Sequence, residues 1–227
     1  MKILLIDTCA ETGSVALADT DAAVPNLRSA VPNLRSAVLP GRRASEQLTV
    51  ALRDLAARTR LALRELGAVV VVNGPGSFTG VRVGVSAAKG LAEALGIPVM
   101  AISRLAVLAE LSGGCQVITV LDAGRGEFYC GIYDTECYGR EALLNRAEVL
   151  EIAADRLPVV VCESVVAEAL AKLSPKMVQA PTAEAALPIA LRRIRAGEFD
   201  DVASLDANYL RRTDAEIFAK QKTARTA

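Results

Sequence analysis

A chain of 227 residues with 52% hydrophobic content is long enough for one large domain or two small ones with packed cores. Its 26 Lys and Arg balance 26 Asp and Glu, which excludes an overall basic clamp for nucleic acid, and 4% aromatic residues with no Trp argue against a stacking platform for single-stranded bases. Histidine is absent, so an imidazole general base, a Ser-His or Cys-His nucleophile pair and a His-ligated metal are excluded.

The first apolar run, Ile3-Leu4-Leu5-Ile6, lasts four residues before Asp7 and predicts a strand, not a signal peptide. A polar turn over residues 8–12 leads to a second strand over 13–19. Residues 24–30 and 31–37 are the same heptapeptide, Val-Pro-Asn-Leu-Arg-Ser-Ala, in tandem. Pro25 and Pro32 forbid a regular helix, so the repeat is expected in a surface connection or at a sheet edge, with one copy supplying a third strand. Ser45 is a predicted N-cap, and Leu48, Leu52, Leu55, Thr59, Ala62 and Leu66 then recur at helical spacing up to Gly67. Residues 68–73 read as a strand buried on both faces.

The loop Asn73-Gly74-Pro75-Gly76-Ser77-Phe78-Thr79-Gly80 permits close backbone approach, and Ser77 or Thr79 can cap the helix that runs to Gly96. It matches neither a Walker A loop, nor a dinucleotide fingerprint, nor a nucleophile elbow. Gly80, Gly84, Ala87, Ala88 and Ala92 give that helix a small-residue side for tight packing, either inside the chain or on a partner subunit. A strand over 97–102 and a helix over 105–111 follow. From residue 118 the opening pattern returns: Ile-Thr-Val-Leu-Asp122, a small-residue turn over 123–126, and a strand back to Asp134. Two hairpins of this kind indicate an internal duplication, with lobes at 1–112 and 113–227. Beyond them come a helix over 147–154, a strand over 158–162 and helices over 165–173 and 183–196. Strands alternating with helices give an α/β class.

Asp7 and Asp122, each ending a buried strand before a small-residue turn, are candidates to hold a hydrated Mg²⁺ under the phosphates of ATP or ADP, with Thr8 beside the first. The alternative is an Asp that caps its own turn. Five cysteines, Cys9, Cys115, Cys130, Cys137 and Cys162, are odd in number and form no C-x-x-C pair, as expected of reduced thiols in a cytoplasmic protein. No apolar run approaches the ~18 residues of a membrane span.

Six blocks together resemble the bacterial TsaB (YeaZ) family: Ile6-Asp7-Thr8, Gly41-Arg42-Arg43-Ala44-Ser45-Glu46, Gly-Pro-Gly-Ser-Phe-Thr-Gly-Val-Arg-Val-Gly over 74–84, Ser103-Arg104-Leu105, Asp122-Ala123-Gly124-Arg125-Gly126-Glu127-Phe128-Tyr129, and Asn208-Tyr209-Leu210-Arg211. The resemblance implies an actin/Hsp70/sugar-kinase-like fold of two duplicated lobes. It implies an accessory, non-catalytic role in threonylcarbamoylation of the tRNA adenosine beside the anticodon, on the catalytic subunit TsaD with the ATPase TsaE. Contact with tRNA would be indirect, and the chain alone would pair with itself. The TsaD-facing surface carried over from the family is Ser45, Leu48, Leu52 and Leu55 on one helix and Val81, Gly84, Val85 and Ala88 on the next, with no metal site. Competing readings are an ATP/Mg-dependent phosphotransferase built on Asp7 and Asp122, and a glycoprotease-like hydrolase. The heptapeptide repeat is not part of the family pattern.

Overall fold

The computed structural model describes residues 1–20, 34–39, 44–113, 116–134, 139–153 and 157–210. Alternation of strand and helix resolves into two five-stranded sheets. In the first, β1 (Lys2–Asp7) and β2 (Gly13–Asp19) form a hairpin that pairs Ile3 with Ala18 and Asp7 with Ser14. β3 (Arg35–Leu39) adds antiparallel to β2. β4 (Leu66–Val72) lies parallel to β1, and β5 (Val99–Ile102) parallel to β4. The order is β3-β2-β1-β4-β5.

The second sheet repeats this plan. β6 (Val117–Gly124), β7 (Glu127–Tyr133) and β8 (Gly139–Asn145) form an antiparallel meander, while β9 (Val159–Val161) and β10 (Lys176–Met177) add in parallel on the other side of β6. Its order, β8-β7-β6-β9-β10, matches the first strand for strand and in every parallel or antiparallel sense. The duplication read from two hairpins therefore extends to the whole topology, and the fold is the α/β, actin-like arrangement of two lobes. Continuous burial of Val69, Val70, Val71 and Val72 follows from helices on both faces of parallel strands.

Several boundaries differ from the sequence expectation. α1 (Ala44–Thr59) begins one residue before the predicted cap, so Ser45 is its second residue. It stops well short of Gly67, at Arg60, whose φ of 54° leaves the helical region. Leu66 and Gly67 instead belong to β4, behind a short 3₁₀ turn over Leu63–Glu65. Helical spacing persists through Leu66 because a buried strand entry needs an apolar residue as much as a helix does. Arg35, Ser36 and Ala37 of the second heptapeptide open β3, as expected of one copy; the first copy, 24–30, lies outside the described residues.

α2 (Phe78–Leu95) starts at the Ser77 cap, whose Oγ accepts the Gly80 amide at 3.3 Å, and ends at Gly96 with φ 63°. α3 (Arg104–Leu111) lies against both β6 and β7 of the second sheet, and Leu105, Val107 and Leu108 are fully buried. α4 (Arg146–Ile152), α5 (Ser164–Ala169) and α6 (Leu187–Ala196) complete the set. The strands of the first sheet end at Ile102 and those of the second begin at Val117, yet the last part of the chain returns to the first sheet. Asp200 bridges Val99 and accepts the Ala101 amide at 2.7 Å, Arg193 Nη1 donates to Ala101 O at 2.7 Å, and Asn208 N donates to Asn73 O at 2.7 Å. One large core consequently holds residues of both sheets, while a smaller cluster around Ile118, Val149 and Leu170 lies on the other side of the second sheet. Among the described residues no helix is long and apolar enough to cross a membrane.

Gly80 and Gly84 let α2 approach β1 closely: a Cβ at Gly80 would run into the Thr8 carbonyl oxygen, and one at Gly84 into Thr8 Oγ1. Gly80→Ala is expected to lower the unfolding free energy by about 2 kcal/mol in urea titrations. Gly90→Ala, one exposed side of the same helix with nothing within 4 Å of the added methyl, is expected to raise it by about 0.5 kcal/mol. Equal effects at the two positions would contradict the close approach.

Candidate functional site

The two strand-end aspartates occupy equivalent places in the duplicated sheets and make the same local bond. Asp7 Oδ1 accepts the Cys9 amide at 2.9 Å, and Asp122 Oδ1 accepts the Gly124 amide at 2.9 Å. Each caps its own turn. Their surroundings differ. Asp7 is 2% exposed, and burial pushes its carboxyl above the ordinary range, against the opposing pull of the Arg104 guanidinium and the Cys9 amide. Arg104 is itself 6% exposed, and its Nε has no hydrogen-bond partner among the described residues. Thr8 is fully buried and donates its hydroxyl to Gly80 O at 2.6 Å. Asp122 is exposed, and its amide donates to Glu163 Oε2 at 2.7 Å.

Asp7 suits a hydrated Mg²⁺ poorly. Asp7 is enclosed, one of its oxygens is committed to the backbone, and the positive charge beside it already comes from Arg104. No group of three His, Cys, Asp or Glu arranged for a metal occurs among the described residues. Nor do the thiols of the described residues supply a nucleophile, since burial keeps them protonated at neutral pH. Cys9 is raised well above its usual value, Cys130 to about 12 and Cys162 to about 11. Cys115 and Cys137 lie outside the described residues.

The helix positions expected to face a partner mostly face the chain's own sheet. Leu48, Leu55, Val81 and Val85 are 3%, 2%, 3% and 5% exposed, Ala88 is fully buried, and Gly84 packs on Thr8. Leu52 is half-buried against the same core. Apolar spacing identifies the buried face of a helix without saying what buries it, and these side chains pack within the chain's own core. The outward surface is different: Val50 on α1 and Val38 on β3 are exposed, beside a groove of about 320 Å³ lined by Gln47, Ala51 and Asp54. Gln47 Oε1 is buried there without a partner among the described residues.

A cluster that sequence reasoning missed lies at the start of α2. Arg82 Nε donates to Tyr209 Oη at 2.6 Å, and its Cζ sits 3.7 Å from the Phe78 ring centroid and 5.5 Å from that of Tyr209. The two rings are 5.7 Å apart at 40°. The i, i+4 spacing of Phe78 and Arg82 was a usable signal. Tyr209, 127 residues from Arg82, was not placeable without the fold. Between the lobes, a cavity of about 560 Å³ is lined by Ser103, Tyr133, Glu141, Ile189, Arg192 and Arg193. Its polar groups are paired internally: Glu141 accepts from Tyr133 and Asn208, and Arg192 meets Glu110 at 2.6 Å.

The family model of TsaD, tRNA N6-adenosine threonylcarbamoyltransferase, matches residues 38–154, just over half of the chain. The tRNA threonylcarbamoyladenosine biosynthesis protein TsaB of Escherichia coli K12 is 30% identical over 140 residues, covering 60% of this chain and 56% of that protein. The TsaB of Bacillus subtilis 168 is 34% identical over 135 residues, covering 59% and 55%. The chain thus spans little more than half the length of these curated relatives. A Pseudomonas aeruginosa crystal structure described as similar to peptidase YEAZ superposes with a TM-score of 0.76 at 28% identity, over 92% of this chain and 99% of that one. A structure of YeaZ from the same organism gives 0.73 at 26% identity, over 91% and 100%.

The raised Asp7 carboxyl carries a signed pH dependence. A buried acid whose folded value lies above the unfolded 3.8 stabilises the fold only while protonated, and that advantage is lost as pH rises through the folded value. Relative to Asp7→Asn, the native chain is expected to lose stability on titration upward from about pH 3.8, with a plateau beyond the raised value, in urea unfolding across a pH series. A native chain that gains on Asp7→Asn over that range would show Arg104 outweighing burial.

Proposed function

The chain belongs to the family that the TsaD model describes, in its TsaB/YeaZ group, and from that membership we propose that it is a non-catalytic subunit supporting threonylcarbamoylation of a tRNA adenosine. It would do so by docking on a TsaD-type catalytic subunit. The observation that carries this reading is the employment of both strand-end aspartates in turn capping, with Asp7 enclosed beside Arg104. In a two-lobed fold of this class those strand ends are where a ligand's phosphates would be held. Here one carboxylate oxygen of each is spent on the protein's own backbone.

The absence of histidine from the sequence supports the same conclusion, because metal-dependent chemistry of a His-x-x-x-His type has no ligands. The raised thiols of Cys9, Cys130 and Cys162 argue against a cysteine hydrolase. Docking would use outward residues of the first lobe, since Leu48, Leu55, Val81 and Val85 are spent on the chain's own core. TsaE would join the same assembly, self-pairing would occur when TsaD is lacking, and the setting would be the cytoplasm.

Sedimentation of the purified chain with TsaD is expected to give a stable complex. In a reconstituted tRNA assay, modification is expected only when both are present, with no turnover of ATP or a carbamoylated compound by this chain alone. Turnover by the lone chain would refute the non-catalytic role, and separate sedimentation of the two proteins would refute the docking.

A further inference from the structure

Phe78, Arg82 and Tyr209 form a cluster that the fold does not need for its own closure. The segment after α6 is already tied to the first lobe without it. Lys89 Nζ donates to Ala203 O and Leu205 O at 3.1 and 2.9 Å, Asn73 Nδ2 to Asp206 O at 3.1 Å, and Asn208 N to Asn73 O at 2.7 Å. Yet the two rings stay open to solvent, Phe78 at 58% and Tyr209 at 44% exposure.

Arg82 is held on one edge and one face. Its Nε is bonded to Tyr209 Oη, and its Cζ lies 3.7 Å from the Phe78 ring centroid. Nη1 and Nη2 make no hydrogen bond or ion pair among the described residues. A guanidinium fixed in this way presents two donors in a ready fork, the geometry that a carboxylate accepts in bidentate fashion. Much of the ordering cost of such a contact is already met within the free chain. Tyr and Arg are the residue types that dominate binding energy at protein interfaces.

The surrounding charge selects the occupant. Lys89, the next basic residue of α2, already donates to Ala203 O and Leu205 O, and Asp201 and Asp206 on the adjoining segment accept amides of their own turns, so Arg82 offers a single open fork and no row of cations. A nucleic-acid backbone, which calls for several unpaired cations in a row, fits it badly. A single acidic side chain fits it well.

We propose that Phe78, Arg82 and Tyr209 form the docking site for an Asp or Glu side chain of the TsaD-type subunit, seated on the Arg82 fork between the two exposed rings. This rests on the partner reading above. The test is titration calorimetry of the full chain against purified TsaD at two salt concentrations, comparing native protein with Arg82→Gln, Arg82→Lys and Phe78→Ala. Arg82→Gln is expected to weaken binding about tenfold or more and to flatten its salt dependence. Arg82→Lys should recover little of the loss, because an ammonium has no fork, and Phe78→Ala should weaken binding while urea midpoints stay near native.

Native chain that binds TsaD with an affinity and salt dependence that Arg82→Gln leaves unchanged overturns this inference and spares the docking proposal. Native chain that does not bind TsaD overturns both. An Arg82→Gln variant that alters self-association or tRNA retention while TsaD affinity is untouched assigns the cluster to another occupant and overturns it as well.

Discussion

The contact on which the rest of the first lobe depends is the seating of α2 on the end of β1. Gly80 and Gly84 remove the side chains that would otherwise hold the helix away, and Thr8 fills the space with a hydroxyl bonded to Gly80 O. The Ser77 amide bonds Cys9 O at 2.7 Å, so the loop before the helix is fastened to the same strand end. Everything near the cleft inherits its position from that seat: the capped Asp7 turn, the Cys9 thiol donating to Val72 O, and the backbone of Arg104, which bonds Gly74 O at 2.6 Å. A contact between backbones tolerates little adjustment, because neither side has a rotamer to change.

The same tight packing decides what chemistry the strand ends can offer. Duplication places an aspartate at the end of β1 and of β6, and the local turn is the same in both. Burial and neighbours separate them: Asp7 is enclosed beside Arg104, while Asp122 stays in contact with water beside Glu163. A buried carboxylate needs a cation or a proton nearby, and Arg104 from the start of α3 provides the charge.

The return of the chain after α6 binds the lobes into one core and carries Tyr209 to Arg82. Two of the blocks that carry the family resemblance therefore meet in space although far apart in sequence, Gly74 to Gly84 and the described part of the last one, Asn208 to Leu210. Asn208 reaches Glu141 on β8 at 2.5 Å while its amide holds Asn73 O, so a single residue links the first sheet's loop to the second sheet's edge strand.

Much of the architecture was legible in the residues themselves. The apolar runs ending in Asp7 and Asp122, the glycine loop at 73–80, a helix cap at Ser77 or Thr79 and the Gly96 stop are local signals, and local hydrogen bonding and backbone sterics answer to them directly, with Ser77 the residue that caps. The absence of histidine alone removed whole classes of catalysis. What remained hidden was orientation. The leucines of α1 and the small residues of α2 announce a face for tight packing, but the identity of the covering surface depends on how β1, β4 and the helices assemble, and the answer was the chain's own sheet. The end of α1 was misjudged because Leu66 satisfies a strand as readily as a helix. The Arg82 cluster and the burial of Asp7 required contacts spanning most of the chain, and periodicity within a segment has no information about a partner that distant. Composition and local pattern determined the elements, their order and the chemistry excluded; the tertiary structure alone decided which of those residues face water, because exposure is a property of what packs against a residue and not of the residue itself.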